Sequence, residues 1–451
     1  MTDLTLSDTQ AAAVKKLSAW FSKCRAEMRD KKPLSQQVFR IFGFAGCGKT
    51  TTLKYAMQEL GAEAMPHIEK RDRYEITDFD DPEEKPHDGP PKVMYAAYTG
   101  KAALVMTRKG TPASTIHSMC YRVVEPTREA IEKARETLAK LLAKGSPEDP
   151  SESILWRAQI RDRENQIKNM HRPSFILNLQ SPALDADLIV LDEVSMVGEE
   201  MAADLMSFKR PILVLGDPGQ LPPIKGEGAF TQATPDILLT EIHRQAGDSA
   251  IIRLATLARE GRMIPFGQHS DLVWKIRRSE LPLEWLAQAD QVLCGFNASR
   301  FMLNNEIKRH LGQPDVFPTE ASKVICLKNQ SANGLINGCF LKLSEIGEPK
   351  EFGFKARVTT EDGVDTGEHT IYRGHFDDHA EFDKDRGQRD YWHKKGLVEC
   401  TYGYAITVHK SQGSQWSNVA LFDDGFGRGP DRAKWLYTAC TRAESGLLIA
   451  A

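Results

Sequence analysis

The sequence predicts an α/β protein built on buried parallel strands, and three stretches carry that expectation. "DADLIVLDEVSM" and "RPILVLGDPGQLPP" are short apolar runs that stop at polar turns, the pattern of strands covered on both faces. "VFRIFGFAGCGKTTTLKYAMQEL" reads as strand, glycine-rich loop and helix. A chain of 451 residues has room for about two to four domains, each with its own core.

The elements follow in order. "LTLSDTQAAAVKKLSAWF" predicts a helix capped by Ser7 or Asp8, with Ala12, Val14, Leu17 and Phe21 on its apolar face. After the glycine-rich loop and its helix, residues 62–91 are acidic and proline-rich ("DFDDPEEKPHDGPP") and read as a solvated insertion. "KVMYAAYTGKAALVM" is a second strand–turn–helix. From Thr127 to about Met170, Ile131, Ala134, Leu138 and Leu141 keep helical spacing and "GSPEDPSES" breaks the run, which predicts a charged αα-hairpin projecting from the body. A second α/β region begins near "DQVLCGFNASRFMLNNEI", and residues 340–395, rich in short β-like pieces and glycine turns, predict a small β insertion.

Composition excludes several classes. A hydrophobic fraction of 41% with 27% charged residues is ordinary for a globular protein. The formal charge of −3 gives no global basic field, so any nucleic-acid binding must rely on a locally positive groove. Eight scattered cysteines without a C-x-x-C pair fit neither a zinc site nor a disulfide scaffold, and predict reduced thiols in a cytosolic compartment. "MTDLTLSDTQAAAV" has no basic region followed by an apolar core, and no apolar run reaches 18 residues; neither a signal peptide nor a membrane span is expected.

Gly43-Phe-Ala-Gly-Cys-Gly-Lys49-Thr50 satisfies G-x-x-x-x-G-K-[ST] in the required strand–helix context. Its glycines let successive amides converge on phosphate oxygens at a helix N-terminus, so Gly43, Ala45, Gly46, Cys47, Gly48, Lys49, Thr50 and Thr51 form a candidate ATP cradle. Lys49 would reach the β- and γ-phosphates and Thr50 would ligate Mg2+. The strand "LIVLDEVSM" supplies the acidic partners: Asp192 for Mg2+, and Glu193 to orient or deprotonate the attacking water. "LVLGDPGQLPPI" sets Asp217 and Gln220 at another strand end, where Gln220 could bond the γ-phosphate or the water. Read alone, D-P-G is equally a good turn. His375, Asp377, Asp378 and His379 in "HFDDHAEFDKD" could ligate a metal, but the stretch reads as a solvated loop.

With these in place, the chain resembles the superfamily-1 DNA helicases of the RecD-like and Dda-like group. The matching pieces run in the family's order: "LSDTQAAAV", "GFAGCGKTTT", "AYTGKAA", "STIHS", "VLDEVSMV", "LGDPGQLPPI", "LTEIHRQ", "GYAITVHKSQGSQW" and "LYTACTRA". The resemblance implies two RecA-like P-loop domains, residues 1–240 and 241–451, with ATP between them. The helical insertion of about 127–171 falls in the first, and the β insertion, matching the family's small SH3-like domain, falls in the second.

It further implies that Gln10 reads adenine and that Arg244 and Arg442 reach the γ-phosphate, where a guanidinium can fork onto phosphate oxygens. Thr99, Lys101, Thr115 and His117, with Asn297 and Arg300 from the second domain, match strand-contacting motifs that hold phosphates without reading sequence. Read by themselves, His117 is as well a core histidine, and Asn297 and Arg300 cap or turn residues. In "TVHKSQGSQW", read as a strand-to-helix connection, Thr407, His409 and Lys410 would face DNA, while Gln412 and Gly413 would face the nucleotide. The implied activity is ATP-driven 5′→3′ movement on single-stranded DNA and unwinding at single-strand/duplex junctions. The chain would act as a monomer in the cytoplasm of a bacterial or phage-infected cell, with replication or recombination proteins as possible partners. Two departures stand out: relatives commonly place a β-hairpin pin where this chain has the charged helices, and Gln415 stands where many have an acidic residue.

Overall fold

The computed structural model describes residues 6–66, 89–145, 147, 149–170, 173–223, 226–241, 249–314, 317–330, 333–377 and 393–451. A first sheet is parallel throughout, in the order Glu63–Ala64, Lys92–Ala97, Leu188–Asp192, Ile212–Gly216, Val38–Gly43, Ile237–Leu239, with Ala113–Thr115 also paired to Lys92–Ala97. Its strands are apolar at successive positions because both faces are covered. Ile41, Val190 and Leu213 pack with residues of the helices Asp8–Arg29 and Lys49–Glu59, while Phe42, Leu191 and Val214 pack with Ile116, Met119, Ala202 and Leu205 on the other side. Ser7, not Asp8, caps the first helix, in a reciprocal box with Gln10.

The second sheet runs Gly267–Ser270, Val273–Ile276, Ala443–Ala450, Trp416–Phe422, Gln291–Cys294, Ala405–Thr407, parallel except for its first pair. The small β insertion is wider than the sequence suggests. Its antiparallel sheet comprises Asp365–Tyr372, Gly353–Thr360, Phe340–Ser344, Val324–Cys326 and Cys400–Tyr402. A bridge between Ile371 and Val398 curls the last strand back toward the first-named one.

Three expectations change. The charged helices, Arg128–Ala143 and Pro150–Asn169, do not replace a β-hairpin but are mounted on one: Tyr121–Val124 pairs antiparallel with Ser174–Leu177 beneath them. The helices pack on each other, and Trp156 donates to the Leu141 carbonyl at 3.2 Å. "TVHKSQGSQW" is strand–turn–strand, because Gly413 takes a left-handed φ of 77° and the chain enters Trp416–Phe422. Finally, "HFDDHAEFDKD" does not begin as a solvated loop: His375 and Phe376 are buried in a short helical turn, with His375 Nε2 3.0 Å from Glu399. Residues 378–385 of that stretch, like 67–88 of the acidic insertion, lie outside the described residues. All eight cysteines are buried free thiols, and no helix among the described residues is long and apolar enough to cross a membrane.

Candidate nucleotide site and the groove beside it

Strand register brings the candidate ATP residues together. Phe42 pairs with Gly216, Leu191 with Val214, and Ala97 with Asp192, so Gly43, Asp192 and Asp217 all fall at the C-terminal edge of adjacent strands. Such an edge is where open α/β sheets bind ligands. Gly46 and Gly48 take left-handed φ values of 82° and 71°, turning the loop ahead of the helix Lys49–Glu59. The Lys49 ammonium donates to the Gly43 carbonyl at 2.6 Å and the Phe44 carbonyl at 3.3 Å. Thr50 is exposed at the helix start, Thr51 is half-buried, and burial pushes the Cys47 thiol up.

Asp192 accepts from the Glu193 amide at 2.8 Å. Burial first, and the neighbouring Glu193 charge second, raise its carboxyl to about 6 against the pull of Lys49. A half-buried carboxylate of this kind is suited to a divalent cation, and with the exposed Thr50 hydroxyl it fits the sparse protein ligation of Mg2+. Among the described residues no group of three or more His, Cys, Asp or Glu is arranged to hold a metal, so such a cation would depend on nucleotide phosphates and water. Glu193 itself has φ 54°, a left-handed conformation costing a non-glycine residue about 1–3 kcal/mol, and this strain sits where the water-activating group is expected.

The second unit meets this edge through residues that the motifs only partly announce. Asp217 is buried, accepts from Gly219 N at 2.9 Å, and receives the Tyr437 hydroxyl at 2.6 Å. Gln220 and Gln412 are both buried, and the side-chain oxygen of each lacks a protein partner; Gln412 donates to the Leu221 carbonyl at 3.1 Å. Arg442 is buried and donates to the carbonyls of Thr438 and Ser414 and to the Thr441 hydroxyl, all within its own unit. The second-unit arginine seen against the P-loop is Arg259, whose guanidinium lies 3.6 Å above the Phe44 ring. Only the folded chain brings it there, since nothing in "ATLAREG" marks it. Gln10 is buried and serves the helix cap, and Arg244 lies outside the described residues.

The candidate strand contacts gather on the neighbouring side. Thr99 and Thr115 spend their hydroxyls capping the helices Gly100–Arg108 and Ile116–Cys120, accepting from Ala102 N and Ser118 N. Lys101 is ion-paired with Glu361, and Arg108 with Glu361 and Asp362, all from the turn between two strands of the small sheet. Burial acts to raise the Glu361 carboxyl, but hydrogen bonds from Lys101 and from Phe340 N outweigh it and hold it below the usual range. Lys410 donates to Asn337 at 2.5 Å, and burial lowers its ammonium to about 8. His117 lies among the rings of Tyr98, Tyr121 and Phe175, and His409 lies against Phe426; burial lowers both imidazoles.

Thr407 accepts from Lys410 N, Asn297 opens the exposed start of the helix Asn297–His310, and the Arg300 guanidinium lies over Phe301. Gly413, expected at the nucleotide, packs instead on Thr99 and Ala102, both 2.9 Å from where its Cβ would stand. Missed entirely is Asn304, which clamps this helix to the sheet through both polar groups of Ala405.

An AAA-domain model matches residues 32–272, and a UvrD-like helicase C-terminal domain model matches residues 402–450. The chain belongs to the AAA-domain family, and its C-terminal part is similar to UvrD-like helicases. The ATP-dependent RecD2 DNA helicase of Deinococcus radiodurans is 27% identical over 259 residues, which is 52% of this chain and 32% of that protein. The chain thus spans about a third of the length of that curated RecD-type relative. Among solved structures, a Pif1 helicase described for unwinding of forked double-stranded DNA by two coordinating copies is 16% identical with a TM-score of 0.51, covering 100% of this chain and 92% of that one. Bacteroides Pif1 bound to single-stranded DNA has a TM-score of 0.50 at 16% identity, covering 100% and 93%. These Pif1 likenesses establish a fold of two RecA-like units.

Proposed function

We propose that the chain is an ATP-dependent helicase that moves 5′→3′ along single-stranded DNA and separates duplex at single-strand/duplex junctions. The observation that carries this reading is the pairing of Ala97 with Asp192. It puts the strand-facing turn at Thr99 and Lys101 two and four residues from a position directly beside the Asp192–Glu193 carboxylates. Chemistry at one can therefore shift the other through a single strand end. Family membership and the resemblance to RecD2 support the same reading.

In this reading residues 1–240 and 241–451 are the two motor domains. The P-loop amides and Lys49 hold the phosphates, while Thr50 and Asp192 would hold Mg2+, which would supply neutralisation of phosphate charge. Glu193 orients the attacking water and takes its proton. The free carboxamide oxygen of buried Gln220 can accept a hydrogen bond from the same water. Thr407, His409 and Lys410 with Thr99, Lys101, Thr115, His117, Asn297 and Arg300 line the strand path, and closing and parting of the two units alternates their grip. Each opened base-pair step costs about 1.4 kcal/mol of stacking on average. The ribbon Tyr121–Val124/Ser174–Leu177, with exposed Val123, Phe175 and Ile176, is the element placed to meet the junction.

The deciding measurement is ATP hydrolysis with and without single-stranded DNA, followed by unwinding of duplexes with 5′ or 3′ tails. Stimulation and 5′-tail dependence are expected. Absence of stimulation excludes a DNA motor, and stimulation without strand separation leaves a translocase. DNA affinity should fall steeply as salt rises from 50 to about 200 mM, because phosphate contacts release counterions; a salt-insensitive complex contradicts a phosphate-tracking groove.

The ion pairs on Lys101 and Arg108 give a further expected result. Replacing Glu361 with Gln and Asp362 with Asn frees both cations for phosphate. Affinity for single-stranded DNA should rise by about two- to fivefold, the range of modest ion pairs. Equal affinity in a titration followed by fluorescence anisotropy would remove Lys101 from the strand path.

A further inference from the structure

Tyr437 carries none of the roles above, yet its hydroxyl joins the P-loop to the loop that follows the strand Ile212–Gly216. It is buried, donates to Asp217 Oδ2 at 2.6 Å and accepts from the P-loop amide of Ala45 at 2.8 Å. Its ring edge fills the space beside Gly219, where an added Cβ would stand 2.8 Å from the ring. The next residue, Thr438, accepts from Leu221 N at 3.0 Å. Two successive residues of the second-unit helix Gly429–Cys440 therefore hold both the P-loop and the 217–221 loop of the first unit. Arg259, on the helix Ala250–Arg259 of the same unit, presses on Phe44, the residue before Ala45.

We propose that Tyr437 is a positioning residue: it sets the loop carrying Gln220 against the P-loop, so that closure of the second unit and alignment of the water-facing carboxamide are one event. The inference rests on the ATP-hydrolysing reading of this site. A phenol hydroxyl has one hydrogen and acceptor capacity to spare; here the hydrogen goes to Asp217 and a lone pair takes the Ala45 amide. Gln220 lies three residues beyond Asp217, and its amide bonds back to the Asp217 carbonyl at 3.2 Å, so fixing Asp217 fixes Gln220. Lys49 now donates to the carbonyls of Gly43 and Phe44, and must leave them to reach a phosphate. The Phe44 carbonyl that Lys49 must leave belongs to the same peptide as the Ala45 amide held by the Tyr437 hydroxyl. Tyr437 need not touch nucleotide to sense its arrival.

The test uses the full chain with saturating single-stranded DNA. Tyr437→Phe keeps the ring against Gly219 and removes both hydrogen bonds. The expected result is a fall in kcat of about tenfold with KM for ATP within about twofold, because alignment is lost while phosphate binding is kept. Asp217→Leu approaches the same contact from the first unit, and the double variant should lose little more than the worse single one. A kcat for Y437F equal to wild type, additive losses in the double variant, or a loss confined to the melting temperature overturns the positioning role. Wild-type hydrolysis that ignores single-stranded DNA overturns the motor reading while leaving the Tyr437 comparison intact. A wild-type chain that hydrolyses no ATP refutes both.

Discussion

Lys49→Ala is expected to abolish measurable ATP hydrolysis. The helix Lys49–Glu59 begins on this residue, and its ammonium sits within bonding distance of the Gly43 and Phe44 carbonyls at the mouth of the P-loop. Its removal takes away the point charge that would meet the β- and γ-phosphates. Losing one well-placed electrostatic donor costs on the order of 10²–10³ in rate. The loss should be larger here because nucleotide binding weakens as well. Alanine is a strong helix former, so the P-loop helix itself should survive. The check is steady-state phosphate release with single-stranded DNA present, alongside circular dichroism. A folded K49A chain that still turns over would remove the P-loop assignment.

Glu193→Gln should separate binding from chemistry. The carboxylate lies at the end of Leu188–Asp192 in a left-handed backbone that glutamine occupies at similar cost, so the fold at this corner is retained. Glutamine cannot take a proton from water. Hydrolysis should fall by about 10²–10⁴, the span of general-base contributions, while ATP affinity stays near wild type. The variant should therefore accumulate an ATP-bound state with the strand gripped. Single-turnover hydrolysis and nucleotide binding by fluorescent ATP measure the two halves of this statement. Unchanged turnover would exclude Glu193 as the base.

What the chain discloses before folding follows the range of the physics involved. The P-loop, the Asp192–Glu193 corner and the Ser7 cap each rest on a handful of neighbouring residues whose backbone preferences agree, and the folded chain keeps them. The ribbon under the helical hairpin was hidden because each strand has four residues and the two are separated by the whole helical insertion. The small sheet extends beyond residues 340–395 for the same reason: Val324–Cys326 and Cys400–Tyr402 are three residues each and find each other only in space. "TVHKSQGSQW" reads as a strand-to-helix connection, but Gly413 turns the chain and Ser411 spends its hydroxyl on the Val408 carbonyl. Tyr437 and Arg259 were invisible because their partners belong to the other unit, and Lys101 reads as a free cation until Glu361 arrives from far along the chain.

The placing of Ala443–Ala450 in the interior of the second sheet has a consequence for biogenesis. This strand pairs with Val273–Ile276 on one side and Trp416–Phe422 on the other. The first sheet can close as soon as Ile237–Leu239 has left the ribosome, because all its strands precede that point. The second sheet must wait with two unpaired inner edges until its latest-made strand is delivered, an arrangement of high contact order that exposes pairing surface during synthesis. A nascent chain stalled before Ala443 should accordingly be a folded first unit tethered to an aggregation-prone, chaperone-dependent half.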